Sequence, residues 1–159
     1  MEYMQGAAGI YIPEETAVTL GKFDGLHRGH QKLINRIVQK KREGLASVVF
    51  ALQGQKTAGL LLSDEKRRLL DGWGVSCLVD CPMTEDLIRM SPEDFVAQVL
   101  VDRLHARFIA VGSDFRFGYQ RKGDVNLLGE LGRVFGYRLE VVKKERYQDQ
   151  DISSSLIRE

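Results

Sequence analysis

Apolar runs alternate with helix-period stretches along the whole chain. Ala17–Leu20 is a short apolar run that reads as a buried strand, and Lys32–Glu43 sets Leu33, Ile34, Ile37 and Val38 on one helical face. Ala46–Leu52, rich in β-branched residues, predicts a second strand, followed by a polar loop over Gly54–Gly59. Ser63 with Asp64 and Glu65 behind it is a helix start, and the stretch runs to Leu70. Val75–Val79 predicts a third strand. Ser91 followed by Pro92 opens a helix reaching about Leu104, with proline at the first helical position. Phe108–Gly112 predicts a fourth strand, Val125–Phe135 a helix and Tyr137–Val142 a fifth strand. Strands separated by helices imply an α/β fold, a parallel sheet covered by helices on both faces. Such sheets bind ligands beyond the carboxyl ends of their strands, where the strand order reverses. With no internal repeat, low-complexity tract or linker, residues 1–159 are expected to form one domain.

The densest chemical signal lies where the first run breaks into glycines: Thr19-Leu-Gly-Lys-Phe-Asp-Gly-Leu-His-Arg-Gly-His30. His27 and His30 sit where a strand hands over to a helix amino-terminus. There, backbone N–H groups and the helix dipole favour an anion, phosphate above all. Gly21, Gly25 and Gly29 let the chain turn tightly and let a ligand approach the backbone. His-x-Gly-His alone is a weak pattern; the preceding strand and the Phe-Asp-Gly lead-in make it specific.

Composition narrows the partners. A formal charge of +1 gives no broad footprint for nucleic acid, so any phosphate site is local. No apolar stretch reaches about 18 residues, and the opening Met-Glu-Tyr-Met-Gln-Gly lacks a signal peptide's charged and apolar regions, so a cytoplasmic chain is expected. Cys77 and Cys81 have no third or fourth ligand near them in sequence, and His105 is distant. They are expected to be reduced, partly buried thiols rather than a metal site.

Two further segments carry phosphate chemistry. Val111-Gly-Ser-Asp-Phe-Arg-Phe-Gly-Tyr-Gln-Arg-Lys-Gly-Asp124 leaves the carboxyl end of the fourth strand and mixes aromatics with Arg116, Arg121 and Lys122. Phe115, Phe117 or Tyr119 can stack on a planar ring, the arginines can meet phosphate oxygens, and Asp114 can meet Mg2+ or a ribose hydroxyl. At the far end, Asp151-Ile-Ser-Ser-Ser-Leu-Ile-Arg-Glu159 has Ser153 or Ser154 as an N-cap, with Arg158 about one turn beyond Ser154 and Ser155.

Three segments, Gly21-x-Phe-Asp-Gly-x-His-x-Gly-His-Gln31, Val111-Gly-x-Asp-Phe-Arg-Phe-Gly118 and Ile152-Ser-Ser-Ser-x-Ile-Arg158, together resemble the FMN adenylyltransferase (FAD synthetase) domain of prokaryotic bifunctional riboflavin kinase/FAD synthetases. That family lies in the nucleotidylyltransferase superfamily carrying His-x-Gly-His. The resemblance implies a Rossmann-like fold, ATP as cosubstrate with Mg2+, and FMN as the acceptor of AMP in FAD biosynthesis. It implies that Gly21, Phe23, Asp24, Gly25, His27, His30, Gly112, Asp114, Ser154, Ser155 and Arg158 line the ATP site. His27, His30 and Arg158 would be catalytic; the two histidines would contact the triphosphate, while Ser154, Ser155 and Arg158 would hold the β- and γ-phosphates. Phe115, Phe117 and Arg121 would face FMN, and Asp114 would lie near the metal.

The chain departs from the family in two ways. Relatives usually follow the second strand with a Phe-x-Pro-His-Pro type segment near the flavin, whereas Phe50-Ala-Leu-Gln-Gly-Gln-Lys-Thr-Ala58 has neither proline nor histidine. The sequence also stops where the riboflavin kinase domain would follow, so riboflavin phosphorylation is not expected of it. Two rival readings fit the same motifs: a sister nucleotidylyltransferase with another phosphate acceptor, and a module that binds ATP or flavin nucleotide without turnover. Pyrophosphate release with each candidate acceptor separates them.

Overall fold

The strands expected from the apolar runs assemble into one parallel sheet. The computed structural model describes residues 1–6, 10–21, 28–53, 64–82, 84–143, 146–147 and 150–151. Six strands, β1 (Glu2–Gln5), β2 (Thr16–Gly21), β3 (Ala46–Gln53), β4 (Cys77–Pro82), β5 (Ala106–Gly112) and β6 (Arg138–Val142), lie in the order β1-β4-β3-β2-β5-β6. Every neighbouring pair is parallel. The main helices are α1 (Arg28–Gln39), α2 (Asp64–Gly72), α3 (Glu85–Arg89), α4 (Pro92–Asp94, continuing in π-helical geometry over Phe95–Arg103) and α5 (Val125–Phe135).

A sheet covered on both faces must bury consecutive strand residues, which is why β2 reads as an unbroken run rather than an alternation. Val18, Leu20, Val48, Phe50, Ile109 and Val111 meet Phe95, Val96, Val99, Leu100 and Leu128 in one core. Ala17, Val49, Ala51, Phe108 and Ala110 face the other side and meet Leu33, Ile34 and Ile37 of α1 and Leu70 of α2. The fold class expected from the sequence is therefore the observed one, a doubly wound α/β sheet.

Several boundaries differ from the pattern-based expectation, each for a local reason. α1 begins at Arg28 rather than Lys32. It passes into a 3-10 turn over Lys40–Glu43, which Gly44 ends in the left-handed region at φ 83°. β4 runs over Cys77–Pro82 instead of Val75–Val79 because β3 pairs with it as far as Gln53 opposite Pro82. β1 escaped the pattern: it is a half-exposed edge strand with polar Glu2 and Gln5. It is held by parallel pairing to β4 and by Tyr3, whose hydroxyl donates to buried Asp80 Oδ2 at 2.9 Å. Burial raises the Tyr3 pKa, and the Asp80 carboxylate reinforces the shift. The five-residue α3, capped by Thr84, and a two-strand antiparallel pair, β7 (Arg146–Tyr147) with β8 (Gln150–Asp151), are too short to show periodicity.

Cys77 and Cys81 are free and buried, and burial pushes the Cys77 thiol up to about 11. Among the described residues no group of three potential ligands forms a metal site, and no helix is long and apolar enough to cross a membrane.

A thiolate is the reactive form, so both cysteines should resist Ellman's reagent in the folded protein at pH 8 and react fully in denaturant. Fast reaction of Cys77 in the native state would contradict this packing. Ile34 is fully enclosed between α1 and the sheet. Ile34→Ala should cost about 2–5 kcal/mol of stability by urea titration, the usual range for emptying a core site.

Candidate functional site

The chain runs from β2 to β3 on one side of β2 and later returns to place β5 on the other side. The connections after β2 and β5 therefore diverge, opening a crevice at the carboxyl edge between these two strands. Both strands end in glycine, Gly21 and Gly112, so neither terminal residue adds a side chain of its own to the edge.

α1 starts at this crevice. Its first turn contains no acidic residue and carries Arg28 and His30, with His30 partly buried. This is the reverse of what stabilises an isolated helix, whose positive amino-terminus favours acidic side chains. The other caps follow the usual rule. Thr84 and Ser91 accept hydrogen bonds from Leu87 N and Asp94 N, with Glu85, Asp86, Glu93 and Asp94 in the following turns, and Asp124 accepts from Leu127 N at 2.9 Å. α1 differs from them in having no acidic residue in its first turn, and a helix amino-terminus of that kind suits an external anion.

Across the crevice, the turn after β5 is fixed by Ser113 N donating to the Val142 carbonyl at 3.1 Å and Phe115 N to the Gly112 carbonyl at 3.1 Å. This turn exposes Asp114 and brings its Oδ1 over Gly112, where a Cβ would lie only 3.3 Å away. An exposed carboxylate at this edge is one that could hold Mg2+, which commonly takes one or two carboxylates and completes its shell with substrate phosphates and water. Arg116, Arg121 and Lys122 are also exposed on this loop.

The loop is clamped by close packing. Gly118, at φ +81°, lies against Pro92 of α4, where a Cβ would come within 2.5 Å of the proline ring, and Tyr119 N donates to the Met90 carbonyl at 2.9 Å. Gln120 and Arg121 both adopt positive φ, 55° and 56°, a conformation that is strained for side-chain-bearing residues. Pro92 and Met90 as supports of this loop left no mark in the sequence, because the contact joins segments far apart along the chain.

Of the two phenylalanines expected on the flavin side, one packs inward. Phe117 is buried at 4% exposure, stacked on Phe115 at 5.7 Å, tilted against Phe95 at 6.2 Å and bridged to Gly123. Phe115, packed on Phe117 yet partly exposed, and Tyr119, at 41%, are the aromatic groups available at the loop surface.

The structure thus brings Gly21, His30, Gly112 and Asp114 to one edge, with Phe115 and Arg121 on the adjoining loop. Phe23, Asp24, Gly25, His27, Ser154, Ser155 and Arg158 lie outside the described residues, as does most of the departing segment after Phe50.

Comparison with known proteins agrees with this geometry. A profile of the family described as FAD synthetase matches residues 10–156. The bifunctional riboflavin kinase/FMN adenylyltransferase of Buchnera aphidicola subsp. Acyrthosiphon pisum is 33% identical, the alignment covering 99% of this chain and 54% of the relative. The Escherichia coli K12 protein of the same description is 30% identical over 92% of this chain and 50% of its own length. A FAD synthetase of Listeria monocytogenes serovar 1/2a is 34% identical over 89% of this chain and 61% of its own. The chain spans about half the length of the curated relatives it matches. A crystal structure described as a macrolide-efflux protein from Streptococcus pneumoniae superposes with a TM-score of 0.82 over 97% of this chain and 54% of that one. At 23% identity, that likeness is one of fold. With a family profile matching residues 10–156, this chain belongs to the FAD synthetase family.

Proposed function

We propose that this chain transfers AMP from ATP to FMN, giving FAD and pyrophosphate. The observation that carries the reading is the acid-free, histidine-bearing first turn of α1 at the β2/β5 crevice, in a chain of the FAD synthetase family. The terminal phosphate of FMN has a second pKa of about 6 and is mostly dianionic near pH 7, so the nucleophile needs no general base. One of its oxygens attacks the α-phosphorus of ATP in line. A new P–O bond forms, the bond to the bridging α,β-oxygen breaks, and that oxygen leaves with the electron pair as part of pyrophosphate.

The protein's task is to align two anions that repel each other and to neutralise the charge that develops on the leaving group. The α1 amino-terminus and His30 meet the triphosphate, joined by His27, Ser154, Ser155 and Arg158 as the family resemblance assigns them. Asp114 would hold Mg2+, which would supply further charge neutralisation across the phosphates. Phe115 and Arg121 serve the flavin side, the ring by stacking and the guanidinium by pairing with phosphate. A cytoplasmic location is part of the same reading, since ATP and reduced thiols coexist there.

His30→Ala should lower FAD formation by at least ~10²-fold, the scale for removing one preorganised donor to developing charge, with the circular dichroism spectrum unchanged. Wild-type turnover in a folded variant would refute the role of the crevice. Release of pyrophosphate with another phosphate acceptor but not with FMN would instead reassign the acceptor.

The family resemblance puts the segment after Phe50 near the flavin, and that segment departs from the family pattern while the polyphosphate motifs are intact. Calorimetric titration should give ATP binding comparable to that of the Listeria monocytogenes relative and weaker FMN binding. Tight FMN binding with poor ATP binding would overturn this division of the site.

A further inference from the structure

Four polar residues are buried among those described: Thr16, Thr19, Ser47 and Asp80. Three are paired. Thr16 Oγ1 donates to the Leu104 carbonyl at 2.7 Å, Ser47 Oγ to the Gly74 carbonyl at 3.2 Å, and Asp80 accepts from the Tyr3 hydroxyl at 2.9 Å. Thr19 Oγ1 is fully enclosed and has no hydrogen-bond partner among the described residues. An unpaired buried hydroxyl is unfavourable and uncommon in native folds. Valine would fill the same β-branched shape without that cost, so packing alone does not account for threonine.

Its place in the fold suggests what the hydroxyl serves. Val18 and Leu20 belong to the core under α4 and α5, and Ala17 to the core under α1, so alternation along β2 sets Thr19 on the α1 face. It pairs in register with Val49 of β3 and Ala110 of β5, two residues before Gly21 ends the strand. α1 leaves the crevice and returns over this face, with Leu33 and Ile34 packed in the same cluster as Ala17 and Ala110. Thr19 therefore underlies the amino-terminal half of α1. Its neighbours on that face, Ala17, Ala51 and Ala110, are small and let the helix lie close to the sheet.

We infer that Thr19 is a positioning residue for the polyphosphate site: with the triphosphate bound, its hydroxyl hydrogen-bonds the first turns of α1 and fixes their amino-terminus against the ligand. A hydroxyl both donates and accepts, so it can complete whichever backbone or side-chain group the bound anion reorients. The inference rests on the proposed adenylyl transfer for its turnover readout, and on ATP binding alone for its other readout.

Two substitutions separate the hydroxyl from the methyl group. Thr19→Val should raise the Tm of the ligand-free protein by about 2–4 °C, the usual shift for a domain of this size on losing a modest unfavourable interaction. It should also shrink the rise in Tm caused by ATP with Mg2+ and lower kcat/KM for ATP about tenfold, the upper scale of one neutral hydrogen bond. Thr19→Ser should lower the ligand-free Tm and keep both the ATP response and the turnover. Wild-type ATP response and turnover in Thr19→Val would overturn the inference, as would a lower ligand-free Tm in that variant or equal loss of response in Thr19→Ser. If the wild-type protein responds to ATP but makes no FAD from FMN, the acceptor reading fails while the Thr19 comparison still decides by the ATP response. A wild-type protein whose Tm does not respond to ATP would overturn the Thr19 role.

Discussion

The parallel pairing of β2 with β5, from Ala17 opposite Phe108 to Thr19 opposite Ala110, is the constraint on which the site depends. It joins two strands whose onward connections leave in opposite directions, so their carboxyl ends cannot be covered by their own helices. It also sets Gly21 and Gly112 as the two lips of one crevice and lets α1, which packs on β2, β3 and β5, aim its amino-terminus into it. A slip of β2 by one residue would turn Ala17 toward the wrong helix layer and bring Val18 under α1.

That arrangement has a cost in local stability. α1 begins with Arg28 and His30 and no carboxylate, which opposes its dipole, and β2 carries an enclosed hydroxyl without a described partner. Tertiary packing offsets both, with Ile34 and Ile37 fully buried and Leu33 nearly so. The aromatic loop follows the same logic on the other face of the sheet. Strained positive φ at Gln120 and Arg121 is tolerated because Phe117 is anchored beneath and Gly118 is seated on Pro92. Local preference yields at the crevice, and the core around it supplies the difference.

Much of this was legible in the sequence. β2, β3, β5 and α5 are bounded by glycine or cap residues and carry clear apolar patterns, so their existence and order could be read directly. The β2–α1 junction stood out in the sequence as a candidate phosphate site, because glycines and histidines fall where a strand becomes a helix. β1 was not legible, since an edge strand paired to β4 needs no apolar run of its own. The inward turn of Phe117 depends on Phe95 and Gly123 meeting it in space, and sequence spacing cannot distinguish it from Phe115. Thr19 passed as one more residue of a buried strand, because only the neighbours in three dimensions reveal that its hydroxyl lacks a described partner.

The account stands on where the polyphosphate sits. Backbone amide chemical shifts followed during titration with ATP and Mg2+ test this directly. The largest changes should fall on Gly21, His30 and Gly112–Asp114, with the amino ends of the strands, near Thr16 and Ala106, unmoved. Saturable shifts centred on those amino ends, or on the outer face of α5, would contradict it.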